Sequence, residues 1–197
     1  MEERIVFVYQ YDELTVSAKD NAVKWFQEIL NEEFTEESEN ITQDLTGTLE
    51  NKGYEGMDVH WSLSHSQGDG VAFYGRLTTD ELVNLSERLL SNNEYQRLKL
   101  VGELADFEIE ISSTNHHYNH YNTMRVDLDD MQSLEDFPKI WELLQKLKEA
   151  IHNDIRGISR ELEEQGYKQI DYYYSKEYAI DSIKANEYEF DVNGGRI

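Results

Sequence analysis

The feature that most constrains this chain is an apolar stripe in its C-terminal third, where Trp141, Leu144, Leu147, Ile151, Ile155, Ile158 and Leu162 recur every three or four residues. That spacing gathers them on one side of a single long α-helix, and a helix with one apolar face must bury it. Pro138 suits the first turn, where its missing N–H goes unused, and Gly166 reads as the stop. A helix of this length needs a broad partner surface, which the rest of the chain has to supply.

Strand-like segments supply one. Phe107, Ile109 and Ile111 alternate with Glu108, Glu110 and Ser112, the period of a strand with one buried face, and residues 121–128 read as its antiparallel return. Residues 57–77 contain two strand-like runs around Ser66-Gln-Gly-Asp-Gly70, whose glycines and aspartate provide turn chemistry for a hairpin. Shorter strands are expected at 5–9, 170–174 and 188–192. Helices fill the intervals. One starts on a capping-box-like Ser17 and Asp20, and a second, across 32–52, carries Ile41, Leu45 and Leu49 and ends at Gly53. A third starts at Thr78-x-x-Glu81 and stops at Ser91-Asn-Asn93; a short piece through Leu98 and Leu100 and a capped helix at 175–186 complete the set. The expected fold is α+β in one domain over residues 1–197: an antiparallel sheet of hairpin-like strands packed by several helices, the long amphipathic one included.

Composition narrows function. The chain has 197 residues, 12% of them aromatic, enough to bury a core without staples, and it has no cysteine. Disulfide frameworks, thiolate nucleophiles and cysteine-ligated metal centres are therefore excluded. No apolar run approaches the roughly 20 residues that span a bilayer, so a cytoplasmic protein is expected.

Net charge is −23, from 41 Asp and Glu against 18 Lys and Arg. That is far beyond the magnitude of about 2–8 that keeps a small domain soluble, and it disfavours direct binding to nucleic acid or an anionic membrane. Residues 1–56 are richest, with 14 acidic against 4 basic side chains. Within them Glu28, Glu32, Glu33, Glu36, Glu37, Glu39 and Asp44 form a candidate partner-binding patch. Carboxylates in rows attract the Lys/Arg surfaces that otherwise hold a phosphate backbone. The blander account is a solvated face that maintains solubility.

A second candidate site joins the hairpin at 60–70 to the polar segment 112–122. Trp61, His65, Gln67, Asp69, His116, Tyr118 and His120 would line a pocket for a nucleotide or another small molecule, with Tyr74, Tyr121, Asn115 and Asn119 nearby. Histidines with Asp58 or Asp69 offer nitrogen and oxygen donors to a metal, but their spacing matches no dedicated motif, and no metal or cofactor is expected. Ser64, Ser66 and His65 lack the Gly-x-Ser-x-Gly elbow of a hydrolase, and Gly68-Asp-Gly70 lacks the Lys and Ser/Thr of a phosphate loop.

Tyr11-Asp-Glu-Leu, Ser17-Ala-Lys, Trp61-Ser-Leu-Ser, the Ser66-Gln-Gly-Asp-Gly70 turn with Phe73, His116-His-Tyr and Ala185-Asn-Glu-Tyr-Glu-Phe190 are scattered over most of the chain. In these it resembles a loose group of acidic proteins encoded by bacteriophages and prophages. The resemblance implies a mobile-element origin and an anti-defence role, and it carries over no catalytic residue. The expectation is thus a non-enzymatic inhibitor in the host cytoplasm that occupies the basic site of a host nuclease or other nucleic-acid-binding protein. The alternatives are the small-molecule or metal-binding protein and an antitoxin-like interaction module, which through the long helix would pair with a partner or a second copy.

Overall fold

A computed structural model describes residues 7–115, 117–128 and 137–197. In chain order these form β1 (Tyr9–Gln10), a 3-10 turn (Tyr11–Glu13), α1 (Val16–Glu32), α2 (Thr35–Glu50), β2 (Asp58–Ser62) and β3 (Gly70–Leu77). Then follow α3 (Thr79–Leu89), α4 (Asn92–Gly102), β4 (Ile109–Ser113), β5 (Met124–Leu128), α5 (Pro138–Tyr173), α6 (Lys176–Ala185) and β6 (Glu189–Phe190). The fold is α+β with every strand pairing antiparallel, as the hairpin-like spacing predicts. The chain divides into two compact units, one from residues 1–41 and 167–197 and the other from 42–166, with boundaries inside α2 and α5.

The larger unit, 42–166, is built on a four-stranded sheet in the order β2-β3-β4-β5. Val71, Phe73, Leu77, Ile109, Ile111, Met124 and Val126 point to its buried face. Asp58, His60, Arg76 and Glu110 alternate with less exposed neighbours and emerge on the other, so one face is packed and one is open to solvent. Leu144, Leu147, Ile151, Ile155, Ile158 and Leu162 of α5 are buried as their stripe requires. The fully buried Ser159 on the same face donates its hydroxyl to the Val71 carbonyl, so that face is anchored to β3 without an unsatisfied polar group. Thr78 and Glu81 form the expected capping box of α3. Ser91, besides ending α3, caps α4 with Glu94 as its reciprocal partner.

Gly53, at φ +90°, closes α2 as expected. Its N–H reaches the Glu50 carbonyl at 2.8 Å and that of Tyr54 reaches Leu49 at 3.3 Å, the paired bonds of a Schellman stop, with Leu49 and Tyr54 both fully buried.

The smaller unit packs α1 against α6 over Leu14, Ala18, Ala22, Val23, Ala179 and Ile183, and the β1–β6 ribbon adds Phe190. Of the strand expected at 5–9, residues 5 and 6 lie outside the described residues, and pairing begins at Tyr9. The cap of α1 is Thr15 rather than Ser17; its hydroxyl accepts from the Ala18 N–H at 3.3 Å.

Two expectations fail together at the end of α5. Gly166 does not stop the helix, and 170–174 is not a strand but its last turn. Gly166 is a packing glycine: a Cβ there would lie 2.4 Å from Leu63 Cδ1, so its bare backbone admits that side chain. In the β-prone run Tyr172-Tyr-Tyr174 the helix continues through Tyr173 because tertiary packing overrides propensity. Tyr174 stacks on Phe34 at 5.5 Å and Tyr173 meets Tyr178 edge-on at 4.9 Å.

Candidate functional site

The hairpin between β2 and β3 and the 112–122 loop are brought together, as the second candidate site requires. Gly68 adopts φ +91°, and a Cβ on it would lie 2.2 Å from Tyr118 Cδ1, so the tyrosine ring lies directly on the turn. A Cβ on Gly70 would fall 2.7 Å from the Asn119 carbonyl oxygen. Small residues in the turn thus seat the loop.

Several of the side chains expected to face a ligand serve the fold instead. The Asp69 carboxylate accepts from the Ser64 and Ser66 N–H groups at 2.6 and 2.7 Å and from the Ser62 and Ser64 hydroxyls at 2.9 and 3.1 Å. Desolvation raises its pKa, but these four bonds outweigh it and hold the carboxyl below its ordinary value. Its lone pairs are consumed by the turn. Trp61 is half-buried, with its indole N–H donated to the Thr42 hydroxyl at 2.9 Å. His65 (φ 59°) and Gln67 are exposed at the turn.

His120 Nδ1 accepts from the Asn122 N–H at 3.2 Å, which leaves its Nε2 to carry the proton in the neutral ring. Its ring lies 3.9 Å from that of Tyr121, over which the Arg160 guanidinium sits at 4.1 Å. His116 lies outside the described residues. Among the described residues no three His, Asp or Glu side chains converge as a metal-binding set.

The acidic patch divides between the units: Glu28 to Glu39 belong to the smaller one, Asp44 to the larger. Glu28, Glu32, Glu33, Glu36, Glu39 and Asp44 are exposed. Glu37 turns inward, 8% exposed, and accepts a 2.9 Å hydrogen bond from the Tyr178 hydroxyl. Burial first, and then this bond to a carboxylate, push Tyr178 up to about 12.

Around that pair a groove of about 630 Å³ opens between α1, the first turn of α2 and α6. Phe26, Ile29, Leu30 and Tyr188 give its mostly polar lining an apolar part, and the exposed Glu33 and Glu36 stand at its rim. Helical spacing alone would make Ile29 a core residue, yet it is 38% exposed and lines the groove.

The charges of the acidic patch are placed without regard to helix stability on one side and in accord with it on the other. Glu36 and Glu37 occupy the first turn of α2, where the helix dipole favours them. Glu28 and Glu32 occupy the C-terminal end of α1, where the dipole disfavours anions and no basic residue offsets them.

The class of protein so defined is an α+β fold whose antiparallel sheet has one open polar face, joined in sequence to a helical unit with an acid-rimmed groove. A family model described as a domain of unknown function, DUF8835, matches residues 25–179, and the chain belongs to that family. The match includes all of residues 28–44 and the whole larger unit. No curated protein and no solved structure matches the chain. No helix among the described residues is long and apolar enough to cross a membrane.

Proposed function

We propose that this protein is a non-enzymatic binding protein that occupies the basic, nucleic-acid-holding surface of another protein through the groove between α1, α2 and α6. The observation that carries the reading is one groove that combines apolar side chains, Phe26, Ile29 and Leu30, with the carboxylates of Glu33 and Glu36. Long basic side chains match such a surface, because their aliphatic stems cover apolar area while their charged heads reach the rim. Glu28 and Glu32 do not line the groove, but next to Glu33 along α1 they extend its negative charge at a cost to helix stability. The resemblance to phage-encoded acidic proteins makes a host defence nuclease the partner to test first, with the host cytoplasm as the setting.

The experiment measures binding to a purified basic DNA-binding nuclease at low and high salt, with and without competing DNA. Affinity is expected to fall steeply with salt, DNA is expected to compete, and Glu33→Lys with Glu36→Lys is expected to weaken binding by at least about tenfold. A complex indifferent to both reversals and to DNA refutes the reading.

A further inference from the structure

We infer that the open face of the four-stranded sheet carries a separate binding site for an uncharged, hydroxyl-rich ring, a saccharide in chemical class. A cleft of about 430 Å³ lies there, formed by Asp58 and His60 of β2, Tyr74 of β3, Glu110 and Ser112 of β4, and Asn119 from the loop. Its volume falls within the range of small-ligand sites, about 300–1,000 Å³. All of it lies in the larger unit, so it does not depend on the acidic groove.

Strand register assembles the cleft. Asp58 is opposite Tyr74 and Arg76 is opposite Glu110, so alternate polar side chains of three neighbouring strands emerge together. The loop, seated by Gly68 and Gly70, closes one end with Asn119. Unlike Asp69, whose carboxylate is saturated by its own turn, the carboxylates of Asp58 and Glu110 and the Tyr74 hydroxyl are engaged by no side-chain hydrogen bond or ion pair among the described residues. Polar groups that converge in a concavity without binding one another are available to a ligand.

The chemistry selects the ligand. Two carboxylates in a chain of net charge −23 repel phosphates and anionic nucleotides. A lining rich in acceptors calls for a ligand rich in donors, and neighbouring hydroxyls of a sugar donate in pairs to one carboxylate. His60 and Tyr74, with ring centroids 5.3 Å apart and tilted by 43°, supply the apolar surface on which the C–H face of such a ring packs. A bare metal ion is a poorer match, since Asp58, His60 and Glu110 line the cleft without converging as a metal-binding set.

The test is saturation-transfer NMR and calorimetry on the full chain with glucose, galactose, N-acetylglucosamine and their disaccharides, alongside uridine and spermidine. At least one neutral saccharide is expected to bind. Asp58→Asn, Glu110→Gln and Tyr74→Ala should each weaken it by about tenfold, while Glu33→Lys leaves it unchanged. Asp58 is exposed and its replacement nearly isosteric, so that variant keeps the test independent of folding defects. The inference is overturned if none of the saccharides binds, if their binding survives the three substitutions, or if uridine or spermidine binds the cleft in their place.

Discussion

Replacing Asp154 with alanine tests how the larger unit is tied together. Asp154 on α5 accepts from the Tyr54 hydroxyl at 2.8 Å and from both terminal nitrogens of Arg88, on α3, at 2.8 and 2.7 Å. Arg88 also donates to the Lys52 carbonyl at 3.2 Å, at the end of α2. Two helices and the segment that follows α2 therefore meet at one carboxylate.

Tyr54 is fully buried, and burial, then the charge of Asp154 and its hydrogen bond to the phenol, push the Tyr54 pKa far above the usual range. Losing the acceptor strands a buried donor, at about 1–3 kcal/mol. The ion pair adds less, about 0.5–1 kcal/mol, because the Arg88 side chain is 48% exposed and screened by solvent. Together these give about 1.5–4 kcal/mol, or a fall in Tm of roughly 3–16 °C for a chain of this size.

Urea unfolding followed by circular dichroism measures the loss, and a double-mutant cycle locates it. Tyr54→Phe should cost about 1 kcal/mol in the parent but recover about 1 kcal/mol or more in the Asp154→Ala background, where it removes an already stranded hydroxyl. Equal costs in the two backgrounds, or a loss on Asp154→Ala below about 1 kcal/mol, refute the reasoning.

Two glycines of α5 should respond oppositely to alanine. At exposed Gly157 a Cβ meets nothing within 4 Å, so Gly157→Ala should stabilise by about 0.5–1 kcal/mol through helix propensity, whereas Gly166→Ala collides with buried Leu63 and should destabilise by about 1 kcal/mol net; thermal melts of the pair decide. Glu94 is held down to about 2 by the Ser91 hydroxyl, the Lys146 ammonium and the Ser91 N–H. Because its folded pKa is depressed, its contribution is complete above the unfolded value of about 4.5 and is lost as pH falls through about 2. Glu94→Gln should therefore flatten the fall of Tm with acid across that window, as a pH series of melts would reveal.

Periodicity made the sheet and the long helix legible. Alternation in Phe107, Ile109 and Ile111 and the three-to-four spacing from Trp141 to Leu162 are direct images of burial on one face. The Thr78 and Gly53 signals likewise act within a few residues, and both hold. Reading failed where a residue's role depends on a distant neighbour. Gly166 looks like a stop until Leu63 is placed beside it, and the tyrosines at 172–174 look like a strand until Phe34 and Tyr178 pack on them.

The candidate sites divide in the same way. Acidity, the lack of cysteine and the Glu28–Glu39 patch are properties of the chain, since charge and residue type are independent of conformation. Tertiary structure alone decided that Glu37 turns inward to Tyr178, that Asp69 spends its carboxylate on its own turn, and that Asp58, Tyr74 and Glu110 share one cleft. Local signals follow from backbone geometry over a few residues. Which polar groups are left for a ligand is settled only when strands far apart in sequence fall into register and their side chains either bind one another or do not.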